Sequence, residues 1–403
     1  MKQGLIDRLK NSEKPLILNG AGVVGEAVLD FCQAHGFPVA AVCDGSVKVT
    51  GSDFHGYRVI HTSRLKEHFA DALVLISAAA IKDVVDLLQA QGLNDWIAAG
   101  PLLEDEDTQQ DAPEVDARKF SIETCIDCHR GYLEPDKVFL RSVDIIITER
   151  CSLKCRDCSN LAQYYQRPKN VPLQLIDRSI DALCAVVDEI MELRVIGGDA
   201  FMNKDWPKVV ARLIGESKAK RIVIYTNGTI VPKDEYAPLL SHPKVLTVVT
   251  DYGALSRNLP SLRSYFDRHQ IAHRILTVDS WLDCATIDKH ERTEEGNQRL
   301  YQECCAKNML SLSDGKLFRC PFAANADRLA AVPDLPDDYV DILAGDEDEL
   351  RHRIKSYVLR NTPLSICDYC SGRPLSGSEV MPAVQTTKPL PYFSYDRPGG
   401  KHE

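Results

Sequence analysis

The stretch that decides the fold is an apolar run from Val143 to Thr148, followed by Cys151-Ser152-Leu153-Lys154-Cys155-Arg156-Asp157-Cys158. The run predicts a buried strand, and three cysteines follow on the loop that leaves it. Thiolates are the ligands of iron–sulfur clusters, so three of them on one loop predict a cluster with one iron left open. An open position on a metal is where a substrate or cofactor binds. A zinc knuckle completed by a distant ligand is the alternative.

The CxxxCxxC spacing resembles the signature of the radical S-adenosylmethionine (SAM) superfamily. Two later features resemble the same family. The strand end Arg194-Val195-Ile196-Gly197-Gly198-Asp199 is similar to its glycine-glycine-glutamate motif. The strand tips Thr226-Asn227-Gly228 and Thr250-Asp251-Tyr252 are similar to those that hold the cofactor's nucleoside.

The resemblance implies an α/β chain with a central partial (β/α)6 TIM barrel over residues 141–300. A long amphipathic helix-like stretch, Gln174–Leu193, lies between the first two strands of this barrel. It implies a [4Fe-4S] cluster that cleaves SAM reductively, so that hydrogen is abstracted from a substrate. Cluster ligands would be Cys151, Cys155 and Cys158, and SAM contacts would come from Gly197, Gly198, Asp199, Thr226, Asn227 and Thr250.

Two residues depart from the family pattern. The residue before the third cysteine is usually aromatic and packs against adenine, whereas here it is Asp157. The usual glutamate of the second motif is Asp199, which is one methylene shorter. Both departures bear on how the nucleoside is seated, and neither removes a ligand to iron.

A second group of cysteines lies near the C-terminus. Asp314-Gly315 between two apolar runs is a strong hairpin signal, and it would bring Cys320 back beside Cys305. A CxxC follows after a helix-like stretch, Asp346–Arg360. The arrangement resembles the twitch domain, a short relative of the SPASM domain, which implies a second, auxiliary [4Fe-4S] cluster held by Cys305, Cys320, Cys367 and Cys370. Cys304 competes with Cys305, and a zinc ribbon or unligated thiols are the alternatives.

The first hundred residues alternate strand-like and helix-like patterns, which predicts a Rossmann-like parallel sheet. Gly20-Ala21-Gly22-Val23-Val24-Gly25 follows the first strand as a GxGxxG, and Asp44 ends the second strand. Such glycines let a phosphate approach the backbone, so Gly20, Gly22, Gly25 and Asp44 predict a site for NAD or a nucleotide sugar. A degenerate domain, whose glycines merely permit close packing, is the alternative.

An acidic stretch, residues 104–117, marks a domain boundary. Beyond it, Cys125-Ile126-Asp127-Cys128-His129 has the form of the c-type haem motif, but Met1–Lys14 lacks a secretory apolar run, which argues against haem. A further metal site, with His129 or Cys284, and ordinary thiols both stay open.

The predicted parts are a Rossmann-like domain (1–103), a linker and CxxC bridge (104–140), the barrel (141–300), a small α+β iron–sulfur domain (301–376) and a tail (377–403) that is mobile or draped over the surface.

The composition limits the classes of partner that this protein is expected to bind. The chain carries 48 basic and 58 acidic side chains, a net charge of −10, which removes the electrostatic attraction to nucleic acid or an anionic membrane. No apolar stretch is long enough to span a bilayer. A cytoplasmic protein is therefore expected, and its 14 cysteines serve metal ligation better than disulfides in a reducing compartment.

Three functions are compatible with these features. The first is a radical SAM enzyme acting on a small substrate, carbohydrate-derived or nucleotide-linked, by dehydrogenation, elimination or epimerisation, with a flavodoxin or ferredoxin as electron donor. The second is a radical SAM enzyme that modifies a peptide. The third is a non-catalytic iron–sulfur carrier or scaffold. Substrate, reaction outcome and oligomeric state are not determined by these features.

Overall fold

The computed structural model describes residues 2–104, 114–374 and 377–396. Contacts divide the chain into two compact units, Met1–Lys137 and Val138–Glu403. Most of the acidic stretch expected to be a linker lies outside the described residues. Within the described ranges, no helix has the length and apolar character needed to cross a membrane.

The first unit is a parallel sheet covered by helices. Its strands are β1 (Leu16–Asn19), β2 (Val39–Asp44), β3 (Asp53–Phe54), β4 (Tyr57–Arg58), β5 (Ile60–His61), β6 (Leu73–Ile76) and β7 (Trp96–Ala98). Its helices are α1 (Lys2–Asn11), α2 (Val23–Ala34), α3 (Leu65–His68), α4 (Ile81–Ala90) and α5 (Ala117–Tyr132).

The strand order of the five-stranded sheet is β5-β2-β1-β6-β7, and every pairing is parallel. Counted along the chain, these strands follow the order of a Rossmann-type sheet, with the reversal between β1 and β6. All residues of β1 and β6 are buried, as expected for central strands covered on both faces. The predicted parallel sheet of the N-terminal region is confirmed.

Helix α5, which carries the CxxCH sequence, belongs to the first unit. Asp116 caps it by accepting a hydrogen bond from the Lys119 amide. Ile122 and Ile126 join the apolar core that includes α2, while Tyr132 joins the core that includes α4. The segment 104–140 therefore contributes a packed helix to the first unit, which extends to Lys137.

The second unit is built on a larger sheet. Its strands are β8 (Phe139–Thr148), β9 (Glu189–Gly197), β10 (Ala219–Thr226), β11 (Val245–Asp251), β12 (His273–Thr277), β13 (Trp281–Leu282), β14 (Leu310–Ser313), β15 (Lys316–Phe318), β16 (Tyr339–Asp341) and β17 (Glu379–Val380). Its helices are α6 (Leu173–Val186), α7 (Trp206–Ile214), α8 (Ala237–Leu240), α9 (Leu259–His269), α10 (Glu294–Glu303), α11 (Pro321–Arg328) and α12 (Glu347–Leu359).

The eight-stranded sheet has the order β12-β11-β10-β9-β8-β14-β15-β16. Strands β8 to β12 are parallel and adjacent in chain order, as a βα repeat predicts. Strand β14 adds in parallel to the free side of β8, and β15 and β16 continue antiparallel. The sheet is open among the described residues, because no pairing joins β12 to β16.

One predicted helix is too long. The stretch expected to be helical over Gln174–Leu193 forms α6 only as far as Val186, and β9 begins at Glu189. From Phe139↔Glu189 to Val143↔Leu193 these residues pair with β8. The apolar residues of this segment fit either a helix face or a buried strand, and pairing with β8 decides between them.

The Asp314-Gly315 hairpin is confirmed. Strands β14 and β15 pair from Ser311↔Phe318 to Ser313↔Lys316, which leaves Asp314 and Gly315 as a two-residue loop. Both have positive φ, 50° and 81°, as a type I′ turn requires. The helix-like stretch that follows is also confirmed, since α12 begins after Asp346, whose side chain caps it.

His129 of α5 is buried and connects two backbone segments through hydrogen bonds. Its Nδ1 accepts a hydrogen bond from the Gly100 amide at 2.9 Å, so Nε2 carries the proton and donates to the Ala78 carbonyl at 2.9 Å. Cys125 lies beside it, with its sulfur 3.3 Å from the Ser77 carbonyl. Burial lowers the pKa of His129 to about 4. The imidazole is therefore neutral and already satisfied by backbone groups.

We expect this histidine to make folding pH-dependent. Its pKa is depressed in the folded state, so the stability it confers is present above pH ~6.5 and is lost as the pH falls toward 4, a loss on the order of 3 kcal/mol. About 1 kcal/mol of that should be lost by pH 5.5. Urea unfolding at pH 7.5 and 5.5 should show this loss for the wild type and not for His129→Gln, and equal losses in both would contradict the assignment.

Candidate active site

The three cysteines of the CxxxCxxC sequence lie together on the loop after β8. Cys155 is 7% exposed, and each sulfur is close enough to the others to influence their ionisation. Burial, together with a smaller effect of the neighbouring sulfurs, raises the pKa of the Cys151 thiol to about 12 and that of Cys155 to about 11. Three thiolates are therefore unfavourable here without a cation. A bound metal cluster supplies that positive charge, so the donor set fits one.

Within residues 2–104, 114–374 and 377–396, no group of three or more His, Cys, Asp or Glu side chains meets the geometry of a metal-ion site. A four-iron cluster is wider than one ion, and its cysteine sulfurs stand further apart. The cluster and the zinc knuckle both stay predictions.

The end of β9 holds the cysteine loop against the sheet. The Gly198 amide donates to the Thr148 carbonyl at 3.0 Å. A Cβ on Gly197 would lie 2.1 Å from the Thr148 oxygen, and one on Gly198 would lie 2.2 Å from the Arg150 oxygen. Both positions therefore require glycine, because the loop backbone occupies the space of a side chain.

Asp199 joins the ends of β9 and β10. Its Oδ2 accepts hydrogen bonds from the Thr226 hydroxyl and the Asn227 amide, both at 2.9 Å. Its Oδ1 accepts from the Phe201 amide at 3.0 Å. Burial raises the pKa of this carboxyl, and these three donors oppose the increase. Both carboxylate oxygens are thus engaged within the protein, so direct contact of Asp199 with SAM stays a prediction.

Asn227 reaches back to the cysteine loop. Its Nδ2 donates to the Ser152 hydroxyl at 3.0 Å and lies 3.5 Å from the Cys151 sulfur. Its Oδ1 accepts from the Thr229 amide at 3.1 Å. The side chain of Asn227 therefore contacts the loop that the sequence assigns to the cluster. Thr250 lies one strand further along the sheet, where its carbonyl accepts from Ser256 at 3.3 Å.

An aromatic pair lies beside the cysteines. The rings of Tyr252 and Trp281 meet edge to face, with centroids 5.6 Å apart. Both pack against the small apolar cluster that contains Cys155. Asp157, at the position that is usually aromatic, instead accepts a hydrogen bond from Arg156 Nε at 3.0 Å. The aromatic surface at this site thus comes from Tyr252, which follows β11, and from Trp281 of β13. The sequence did not predict a role for Trp281, because no motif in the neighbouring residues marks it as part of a site.

A C-terminal strap, residues 383–392, crosses the same loop. Cys155 and Gln385 form an antiparallel bridge. The Arg156 amide donates to the Val384 carbonyl and the Thr386 amide donates to the Lys154 carbonyl, both at 2.7 Å. The described part of the predicted tail is therefore tied to the cysteine loop by backbone hydrogen bonds rather than lying loosely on the surface.

A charged pair lies deeper in the sheet. Asp144 on β8 pairs in register with Arg194 on β9, whose Nε is 2.7 Å from Oδ1 of Asp144. Ser311 of β14 pairs with Asp144 on the other side. Burial raises the pKa of Asp144 to about 6, although Arg194 opposes the increase. Sequence analysis missed this pair, because each residue stands in an otherwise apolar strand.

A cavity lined by four cysteines forms a second candidate site, called the second cavity below. Three of the four cysteines are among the predicted ligands. Cys320, Cys367 and Cys370 line this cavity together with Cys304, whereas Cys305 is exposed. The cavity lining favours Cys304 over Cys305 as the fourth ligand, and the ligand set itself stays a prediction. Cys304 ends α10 in an extended conformation, and successive side chains of extended backbone point to opposite sides. Burial raises the pKa of Cys320 to about 12 and that of Cys367 to about 11.

Residues 145–286 match the family model of the Radical SAM superfamily. The chain contains a radical SAM domain. This confirms a domain of the superfamily that the cysteine spacing indicated. The match covers the cysteine loop, the end of β9 and the strand tips of β10 and β11.

Relatives of this chain include the GTP 3',8-cyclases of two bacteria. The chain is 29% identical to that of Stenotrophomonas maltophilia (strain R551-3) over 90 residues, 22% of this chain and 26% of the relative. It is 26% identical to that of Helicobacter pylori (strain ATCC 700392 / 26695) over 101 residues, 24% of this chain and 30% of the relative. The alignments thus span less than a third of these relatives.

Among solved structures, the chain is similar to BtrN in complex with AdoMet and 2-DOIA, with a TM-score of 0.37 and 14% identity over 58% of this chain and 93% of that one. It is also similar to SuiB of Streptococcus suis bound to S-adenosylmethionine, with a TM-score of 0.31 and 13% identity over 73% of this chain and 83% of that one.

The predicted nucleotide site lies outside the radical SAM domain, in the first unit. A Cβ on Gly20 would lie 2.2 Å from the Ser77 hydroxyl, and one on Gly25 would lie 1.9 Å from the Gly20 carbonyl oxygen, whereas Gly22 faces open space. The carboxylate of Asp44 accepts hydrogen bonds from the amides of Ala21 and Ser46, at 2.8 and 2.7 Å. Two glycines and Asp44 thus serve the packing of the loop, and a ligand there stays a prediction.

The second cavity yields a test. If Cys304, Cys320, Cys367 and Cys370 hold the auxiliary cluster, Cys304→Ala should lower the iron content after anaerobic reconstitution from about eight to about four per chain, and Cys305→Ala should retain about eight. Iron and sulfide assays on the two variants measure this. The opposite ranking would restore Cys305 as the ligand.

Proposed function

We propose that the chain is a radical SAM enzyme that acts on a small, nucleotide-linked or carbohydrate-derived substrate. Cys151, Cys155 and Cys158 hold its [4Fe-4S] cluster. The observation that carries the proposal is the burial of three mutually close sulfurs on the loop after β8, within the matched domain. When bound, such a cluster supplies the electron that cleaves SAM, from which a 5′-deoxyadenosyl radical abstracts substrate hydrogen.

The chain's own residues position and enclose the reactants. The backbone at Gly197–Gly198 lies against the cysteine loop, so the end of β9 is where the amino-acid part of SAM would rest. Tyr252 and Trp281 offer aromatic surface for adenine beside Cys155. The strap covers the loop, and this restricts the access of water and oxygen.

Two features support the substrate class. The relatives of this chain include GTP 3',8-cyclases, which points to a nucleotide-linked substrate. The first unit has the strand order of nucleotide-binding sheets, with Gly22 facing open space. A flavodoxin or ferredoxin would supply the electron. The four-cysteine cavity would hold an auxiliary [4Fe-4S] cluster, able to anchor the substrate or accept an electron from it.

SAM cleavage is the direct test. Reconstituted without oxygen and reduced with dithionite, the wild type should release 5′-deoxyadenosine from SAM, and Cys151→Ala/Cys155→Ala/Cys158→Ala should release none, because the open cluster is lost. Chromatography of the quenched reaction measures the product. Cleavage that persists in the triple variant would contradict the site, and cluster binding without cleavage in the wild type would favour the electron carrier.

Trp281 tests the adenine site. Stacking of a base on an aromatic ring is worth about 1–3 kcal/mol, so Trp281→Ala should weaken SAM binding about tenfold, and Trp281→Phe should weaken it less. Equilibrium dialysis of the reconstituted protein with SAM gives the affinities. Met381→Ala, at a residue 73% exposed, is the matched control. Wild-type affinity in Trp281→Ala would exclude the indole from the site.

A further inference from the structure

The Gln385 side chain makes three hydrogen bonds where the strap crosses the cysteine loop. Its Oε1 accepts from the Lys154 amide at 2.8 Å. Its Nε2 donates to the Cys155 sulfur at 3.2 Å and to the Ala383 carbonyl at 2.8 Å. A backbone amide only donates, so the oxygen of the Gln385 amide faces Lys154 and an N–H group faces the sulfur.

The backbone fixes this amide in place. Hydrogen bonds from Arg156 to Val384 and from Thr386 to Lys154 flank Gln385 on both sides. Further along, the Leu390 amide donates to the Gln163 carbonyl at 2.8 Å. The donor to Cys155 is therefore held by a short antiparallel pairing rather than by its own side-chain torsions alone.

The three sulfurs receive their donors from different places. Cys158 receives N–H groups from the backbone of its own loop, at Asn160 and Ala162. Cys151 lies 3.5 Å from the side-chain nitrogen of Asn227, at the tip of β10. Cys155 receives its donor from Gln385, 230 positions further along the chain. The environment of the cysteine loop is thus completed only when the strap is in place.

A hydrogen bond to a ligating sulfur acts on the cluster's charge. Reduction adds one negative charge, which is shared with the cysteine sulfurs. An N–H donor stabilises the more negative state more strongly, so it favours the reduced cluster.

We propose that Gln385 is a positioning residue that holds Cys155 in place and raises the reduction potential of the cluster on Cys151, Cys155 and Cys158. The inference rests on the proposed function, because it concerns the same cluster. It assigns the C-terminal strap an electrochemical role in addition to covering the loop.

Two substitutions test the effect of the N–H donor separately from the effect of the side chain's shape. Gln385→Leu removes the N–H donor and the acceptor for Lys154. Gln385→Glu keeps an oxygen for the Lys154 amide and places a carboxylate oxygen where the N–H faced the sulfur. The matched control is Lys388→Ala, at an exposed position of the same strap.

The potential is read from the SAM-responsive electron paramagnetic resonance signal of the reduced cluster, recorded on the reconstituted full chain at stepped potentials. At the wild-type midpoint, Gln385→Leu should lower the ratio of reduced to oxidised cluster about fivefold, the order expected for one lost hydrogen bond. Gln385→Glu should lower it further, and Lys388→Ala should leave it unchanged. Wild-type midpoints in both Gln385 variants would overturn the proposal.

A measurement on the iron-free chain checks the positioning role separately. Iodoacetamide should label Cys155 several-fold faster in Gln385→Leu than in Lys388→Ala, because the Cys155 sulfur loses its hydrogen-bond partner. Peptide mass spectrometry gives the rate at each cysteine, and equal rates at Cys155 would count against the proposal. A wild type that binds no iron would overturn the proposed function itself, whereas normal iron content with unshifted potentials would overturn only the role of Gln385.

Discussion

Burying three cysteine sulfurs side by side is the constraint on which the second unit depends. Each thiol resists ionisation because it is desolvated, and neighbouring sulfurs add to this effect at Cys151 and Cys155. Without a cation the loop holds neutral thiols, and a metal cluster makes three thiolates favourable. The surrounding groups are mainly donors, namely the loop backbone, the Asn227 amide and the Gln385 amide. This polarity suits a site that carries negative charge on sulfur.

The motif after β9 shows how one short sequence serves packing and function together. Gly197 and Gly198 lack side chains because the cysteine loop lies within 2.2 Å of where a Cβ would stand. Asp199 uses both carboxylate oxygens to join β9 to β10. The same residues that the family resemblance assigns to SAM therefore also hold the strand ends in register. Asp144 and Arg194 form a second polar link lower in the same strands.

In the first unit, too, residues that match a functional motif serve the packing of the fold. Gly20 and Gly25 are required by close contacts with Ser77 and with the loop's own backbone, and Asp44 holds that loop through two amides. The CxxCH sequence lies within a helix, and its histidine connects the Gly100 and Ala78 backbones. A motif can thus match a binding pattern while its side chains are used within the fold, and Gly22, which faces open space, differs from its neighbours in this respect.

The sequence by itself determined the cysteine loop, the βα repeat, the Asp314-Gly315 hairpin and the superfamily, because each depends on residues close together in the chain. Only the tertiary structure decided where α6 gives way to β9, which of Cys304 and Cys305 lines the second cavity, and that Asp199 is internally satisfied. It also brought Trp281 and Gln385 to the cysteines. These outcomes depend on contacts between segments far apart in sequence, and such contacts leave no local pattern, since strand pairing and side-chain direction are settled only when the whole sheet forms.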